Sequence, residues 1–281
     1  MTHAGVDGRP MGCPGRDNSL VSQLRLRLRE SRKELAAQRR ALAEQRRTAV
    51  ELQRAILPNP SAASEVNGVR VAVRCQGADP TAYVGGDWYL SDPLPGGEVL
   101  LAVGDVTGHG LAATATMVRL RHTMAALAAA GHGPGQILSA LNRLLYQQAV
   151  DVAATAIIAR YRSGTRTLTW SGAGHLPILL AHGDRIDPLW PPAGVLLGAV
   201  PEARYADSTR QLDPGDLLLM YTDGFVEERG GTIEAGVRAL GEQARRAMGT
   251  APADRSAAVV ESLRRRNPSD DACALAAGPL R

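Results

Sequence analysis

The chain has one phenylalanine, three tryptophans and six tyrosines in 281 residues, so aromatic side chains make up only 4% of it. Apolar residues of all kinds reach 44%, enough in a chain of this length for one large domain and an appendage. Long apolar runs are missing, and none approaches the roughly 18 to 20 residues that a membrane-spanning helix needs. The first twenty residues, MTHAGVDGRPMGCPGRDNSL, place Gly and Pro where a signal peptide would carry a continuous apolar segment. Neither export nor anchoring is therefore expected, and residues 1–18 read as a loose tail. Cysteine is scarce too. Cys13, Cys75 and Cys273 are odd in number and far apart, with no CxxC pair, which excludes a thiolate metal site and fits a reducing, cytoplasmic setting.

Charge of one sign is lacking except in a single stretch. Between Ser19 and Leu57 ten Lys/Arg face four Glu, a local +6, and residues 58–281 are left mildly acidic at −2 within the overall +4. The stretch LVSQLRLRLRESRKELAAQRRALAEQRRTAVELQRAIL contains neither Gly nor Pro and is rich in good helix formers, and Pro58 ends it. Val21, Leu28, Leu35, Leu42, Ala49 and Ile56 recur every seven residues, whereas the companion column Leu24, Ser31, Gln38, Gln45, Leu52 is polar in its middle. Such a seam predicts a weak parallel coiled-coil homodimer, or a helix that docks a sensor protein, with a solvated linker as the plain alternative. The arginines surround the whole helix and glutamates interrupt them, so binding to nucleic acid is not expected.

After Pro58 strands and helices alternate. GVRVAVRCQ (Gly68–Gln76), EVLLAVGDV (Glu98–Val106), ATAIIARYR (Ala154–Arg162), TLTWSGAG (Thr167–Gly174), LPILLA (Leu176–Ala181), DLLLMYTDG (Asp216–Gly224) and DACALAA (Asp271–Ala277) read as strands. Helical spacing covers Leu111–Ala130, Gly135–Ala149, Ile233–Met248 and Pro252–Arg265. Consecutive hairpins with helices in pairs predict an α+β protein with antiparallel sheets rather than a doubly wound parallel one.

Several apolar strands end on a carboxylate. Asp87 follows Gly85 and Gly86 in YVGGDWYL, Asp105 ends LLAVGD, Asp223 ends LLLMYTDG, and Asp270 with Asp271 opens the last strand in NPSDDACAL. Any single Asp-Gly is usually a turn. Four such sites, each at a strand end, would gather anionic groups that repel one another unless a cation joins them. Oxygen ligands without Cys or paired His point to Mg²⁺ or Mn²⁺.

The ordered motifs GGDWY, GDVTGHGLAA, SGAGHLP, YTDGFVE and DDACAL, preceded by LQRAILP, closely resemble the SpoIIE/RsbU-like branch of the PPM metal-dependent serine/threonine protein phosphatases over residues 52–277. The resemblance implies a four-layer αββα sandwich with two central antiparallel sheets, as a phosphatase domain at 58–281 behind a helical linker at 19–57. It implies a site for two Mn²⁺ or Mg²⁺ ions, with Asp87, Asp105 and Asp223 as catalytic metal ligands, Asp105 bridging, and the Val106 carbonyl and Asp270 or Asp271 completing the set. A shared water of lowered pKa would then attack the phosphoryl group, with no Cys or Ser nucleophile. The implied substrate is a phosphoserine or phosphothreonine on a STAS-domain anti-sigma-factor antagonist. A pseudophosphatase scaffold is the alternative. Leu90 stands where many relatives carry Asp, and Cys273 where the last motif usually carries Thr. His109 is a candidate general acid, His175 is expected to fix a loop by hydrogen bonding, and His122 and His132 read as helix residues without a role.

Overall fold

The computed structural model describes residues 17–56, 63–77, 86–108, 110–147, 152–228, 230–250 and 254–279. The chain divides into two compact units, Met1–Thr48 and Ala49–Arg281. The helix expected at 19–57 is present as α1 (Asp17–Ile56), 40 residues long. Its column residues Leu28, Leu35 and Leu42 are 55%, 50% and 51% exposed. The side chains of Ala49, Leu52 and Ile56, and all of Pro58, lie outside the described residues. No helix among the described residues is long and apolar enough to cross a membrane.

Among the described residues eleven strands build the second unit: β1 (Ser64–Val66), β2 (Val69–Gln76), β3 (Trp88–Leu94), β4 (Glu98–Val106), β5 (Ala154–Arg162), β6 (Thr167–Ala173), β7 (Ile178–His182), β8 (Arg185–Leu189), β9 (Ser208–Gln211), β10 (Leu217–Tyr221) and β11 (Ala272–Pro279). They form one sheet in the order β1-β2-β11-β10-β7-β8 and another in the order β3-β4-β5-β6-β9. Every pairing is antiparallel. Four helices complete it: α2 (Leu111–Ala129), α3 (Pro134–Tyr146), α4 (Ile233–Thr250) and α5 (Arg255–Ser262).

Alternation along the strands divides the core into three. Val99, Leu101 and Val103 of β4 and Ile157 of β5 face Val71 and Val73 of β2 and Met220 of β10 in a cluster between the sheets. Leu100 and Ala102 of β4 point the other way, onto Met117 and Leu120 of α2 and Ile137 and Leu141 of α3. Leu217 and Leu219 of β10 likewise meet Leu240 of α4 and Val259 and Val260 of α5. With both faces covered, β4 reads as a nearly continuous apolar run, since no face is left for polar residues. The result is the four-layer αββα sandwich expected from the resemblance.

Two helices are shorter than their patterns. The segment expected to run to Ala149 is helical to Tyr146, and residues 148–151 lie outside the described set. The segment expected to run to Arg265 stops at Ser262, with Leu263 extended at φ −64° and ψ 140°. There one Arg74 guanidinium nitrogen donates to the Val260, Glu261 and Leu263 carbonyls, taking acceptors that a longer helix would have used. Cys75 and Cys273 are register partners on β2 and β11 and are joined by a disulfide. Their separation of 198 residues hid a pairing that only the antiparallel register of those strands creates.

Candidate metal centre

Asp87, Asp105, Asp223, Asp270 and Asp271 come from both sheets to one end of the sandwich. Asp105 is the penultimate residue of β4, opposite Thr155. Gly86 lies against it: the Val106 N–H donates to the Gly86 carbonyl at 3.2 Å, and a Cβ on Gly86 would overlap the Val106 carbonyl oxygen. Only glycine lets the strand carrying Asp87 come this close to the one carrying Asp105. Asp87, 9% exposed, precedes β3. Asp223 opens a short 3₁₀ turn after β10. A Cβ on Gly224 would overlap the Asp271 carbonyl oxygen, so a second glycine seats Asp223 beside the 270–271 pair.

The loop before β11 is stitched to this turn. The Gly224 carbonyl accepts from the N–H groups of Arg266 and Asn267, at 3.1 and 3.3 Å. Arg265 donates to the Gly77 carbonyl at 2.8 Å and the Asp270 carbonyl at 3.2 Å. Asp270 accepts the N–H of Asp271 at 2.9 Å.

Electrostatics show that the carboxyl groups share one environment. Burial, then the Asp105 charge, raise Asp87 well above the usual carboxylate range, with Asp271 and Asp223 adding to the effect and a hydrogen bond from Thr222 opposing it. Burial with Asp270 and Asp271 raises Asp105 to about 6. Burial with Asp105, Asp270 and Glu227 raises Asp223 to about 7. Among the described residues no ion pair joins a Lys or Arg to Asp87, Asp105, Asp223 or Asp270. Asp87, Asp105 and Asp223, each raised by burial and by neighbouring carboxylates, suit hard divalent cations.

The predicted ligands are thus brought together, though they do not converge on a single point. The trio of ligand-type side chains whose donor atoms all lie within 4.8 Å of one another is instead His182, Asp213 and Asp216. There Asp216 accepts from the Asp213 N–H and pairs with His182 Nδ1, both through buried Asp216 oxygens, so its bonds are already spent on closing the turn into β10. Carboxylates spread over a wider space suit divalent-cation binding without all of them meeting at one point.

His175, expected to fix a loop by hydrogen bonding, does make two hydrogen bonds, and they link the two sheets. Its Nε2 donates to the Tyr221 carbonyl at 3.1 Å and its Nδ1 shares a hydrogen bond of 2.7 Å with the Thr155 hydroxyl, from which a neutral ring accepts. Burial lowers it to about 4. His109 lies outside the described residues. His122 and His132 take no part in the site. Two participants were overlooked in the sequence: Thr222, inside YTDGFVE, and Arg265, inside RRRNPSDD. A polar residue between an apolar strand and a carboxylate was the available sign for Thr222. Arg265 gave none, since nothing in a run of three arginines distinguishes the one that turns inward.

Two antiparallel sheets between helix pairs, with buried and half-buried carboxylates from both at one end, define a PPM (PP2C) phosphatase domain. The chain belongs to the SpoIIE family, whose model, Stage II sporulation protein E, matches residues 95–279. It is 28% identical over 155 residues to the phosphoserine phosphatase RsbU of Bacillus subtilis (strain 168), covering 53% of this chain and 45% of RsbU. Among solved structures it is similar to the RsbU and RsbW domains of Rv1364c from Mycobacterium tuberculosis, at 28% identity and a TM-score of 0.67 over 79% of this chain and 61% of that one. It shares its fold with the SiaA-PP2C domain of Pseudomonas aeruginosa, at 21% identity and a TM-score of 0.69 over 88% of this chain and 100% of that one. The chain therefore spans less than half the length of RsbU.

Proposed function

We propose that the chain is a metal-dependent serine/threonine protein phosphatase, with residues 58–281 as its catalytic domain. The observation that carries this reading is the gathering of Asp87, Asp105, Asp223 and the Asp270–Asp271 pair at one place, Asp87 buried and the others half-buried, where Asp87, Asp105 and Asp223 are raised by burial and by their acidic neighbours. Asp87, Asp105, Asp223 and one of Asp270 and Asp271 would hold two Mn²⁺ or Mg²⁺ ions, with the Val106 carbonyl as a further oxygen. Such ions supply Lewis acidity, bringing a water to nucleophilic strength near neutral pH and offsetting the phosphoryl charge. The protein's own part is positioning: β4 and β10 carry Asp105 and Asp223 at their ends, and the neutral His175 ties Tyr221 of β10 to Thr155 of β5, the register partner of Asp105, without adding a charge.

The substrate in this reading is a phosphoserine or phosphothreonine on a STAS-type anti-sigma-factor antagonist, acting in a cytoplasmic partner-switching pathway. Likeness to a phosphoserine phosphatase, and to a chain that joins RsbU and RsbW domains, supports it. Residues 19–57 serve as a regulatory element that pairs with a second copy or a sensor protein through the exposed apolar column of α1. The test of substrate class is phosphate release in Mn²⁺ from a phosphoserine-bearing STAS-domain protein against a phosphotyrosine peptide. We expect the former to be hydrolysed at least about tenfold faster, since only the correct substrate would place its phosphoryl group against the ions. Equal rates, or a preference for phosphotyrosine, would remove the serine/threonine assignment.

A further inference from the structure

Thr222 stands directly after β10 and is fully buried. Its hydroxyl donates to Asp87 Oδ2 at 2.7 Å, a bond between groups 135 residues apart that ties the first sheet to the residue opening β3 of the second. The same oxygen accepts the Cys273 N–H at 2.8 Å, while the Thr222 N–H donates to the Cys273 carbonyl at 2.9 Å. A hydroxyl owns one proton. With its acceptor side taken by an amide that can only donate, and the Cys273 carbonyl distant at 3.4 Å, that proton belongs to Asp87.

We propose that Thr222 is the positioning residue for Asp87, fixing one carboxylate oxygen as a hydrogen-bond acceptor so that the other is presented to a divalent cation in a single orientation. The inference rests on the metal-site reading above and deepens it. Asp87 sits at the start of a strand and its side chain has two free torsions. Neither the preceding Gly86 nor the strand itself fixes those torsions, and a bond to a group locked on both backbone sides does. Cys273 takes part in this arrangement through its backbone, while its side chain is engaged in the disulfide with Cys75.

Thr222→Val keeps the shape and removes the proton, whereas Thr222→Ser keeps the proton and loses only a methyl group. The readout is Mn²⁺ affinity by calorimetry on the metal-stripped full chain, with melting temperatures measured with and without Mn²⁺. Thr222→Val should bind Mn²⁺ about 10- to 100-fold more weakly, the usual loss when a partner of a metal ligand is removed. It should also show a smaller Mn²⁺-induced rise in melting temperature. Thr222→Ser should stay within about threefold of the unmodified chain, because the orienting bond survives. A purely structural role would lower both melting temperatures and leave the affinity alone. Affinity of Thr222→Val within about twofold of the unmodified chain, or equal losses in Val and Ser, would overturn the inference. Should Thr222→Val fail to fold, the Ser variant and Thr222→Ala carry the same contrast. An unmodified chain that takes up no Mn²⁺ would remove the phosphatase reading and this inference together. Uptake matched by Thr222→Val would remove the inference alone.

Discussion

Asp223 is held at about 7 by burial and by the charges of Asp105, Asp270 and Glu227. A carboxyl group whose pKa is raised on folding binds its proton more tightly folded than unfolded. In the window from about 4 to about 7 the native state thus carries the extra proton, and stability falls as pH rises. His175 works in the opposite sense, because burial lowers it to about 4 and its contribution grows with pH up to its ordinary value. The two overlap, so the clean measurement compares the metal-free chain with Asp223→Asn. The variant's advantage in unfolding free energy should grow by on the order of 1–3 kcal/mol between about pH 5 and about pH 7.5. Denaturant titrations that show a constant difference would mean that Asp223 does not feel the cluster. The acidic residues themselves were legible, since each follows an apolar run and neighbours a glycine. Their partners were not: that Thr222 belongs to Asp87 and Thr155 to His175 depends on which strand ends meet, and no local pattern records it.

Among the elements, the strands left unpredicted were β1, β3, β8 and β9, and these are the outermost strands of the two sheets. The reason is physical. Inner strands are buried on both faces and show themselves as apolar runs, as β4 and β5 do. Edge strands may carry proline and polar residues because one side makes no ladder, and Pro93 in β3, Pro188 in β8 and the Ser-Thr-Arg-Gln of β9 are of that kind. Helix ends were likewise set by distant groups, as Arg74 shows at the end of α5. For α1 the sequence pattern and the exposure of its column agree, and a testable expectation follows. Replacing Leu28, Leu35 and Leu42 by Ser should reduce self-association measured by light scattering and change the phosphatase rate, with Mn²⁺ affinity nearly untouched. The polar Ser31, Gln38 and Gln45 keep such a pairing weak, so a partner could shift it at a cost of a few kcal/mol. Unchanged mass together with an unchanged rate would make α1 a solvated linker.

At the scale of the whole molecule, the sandwich separates what stabilises the chain from what it does. The layer between the sheets is mainly aliphatic, with Tyr89, Tyr161 and Trp170 among its members, so damage to its aliphatic part should act on stability. Leu101→Ala, in the middle of β4 and fully buried, should cost about 2–5 kcal/mol of unfolding free energy and leave Mn²⁺ affinity within about twofold, since it touches no ligand or ligand partner. The opposite separation is the central claim: that the acidic end of the sandwich is a divalent-cation site at which phosphate is cleaved. It is tested most directly by stripping the chain of metal, titrating in Mn²⁺ and following phosphate release from a phosphoserine protein, for the unmodified chain and for Asp105→Asn. The account predicts no turnover without metal, recovery with Mn²⁺, and at least about a 100-fold loss in Asp105→Asn with circular dichroism unchanged, because a neutral amide cannot replace a ligand shared by two dications. Turnover in the stripped chain equal to that in Mn²⁺, or an Asp105→Asn variant that keeps most of its Mn²⁺-dependent rate, would contradict it.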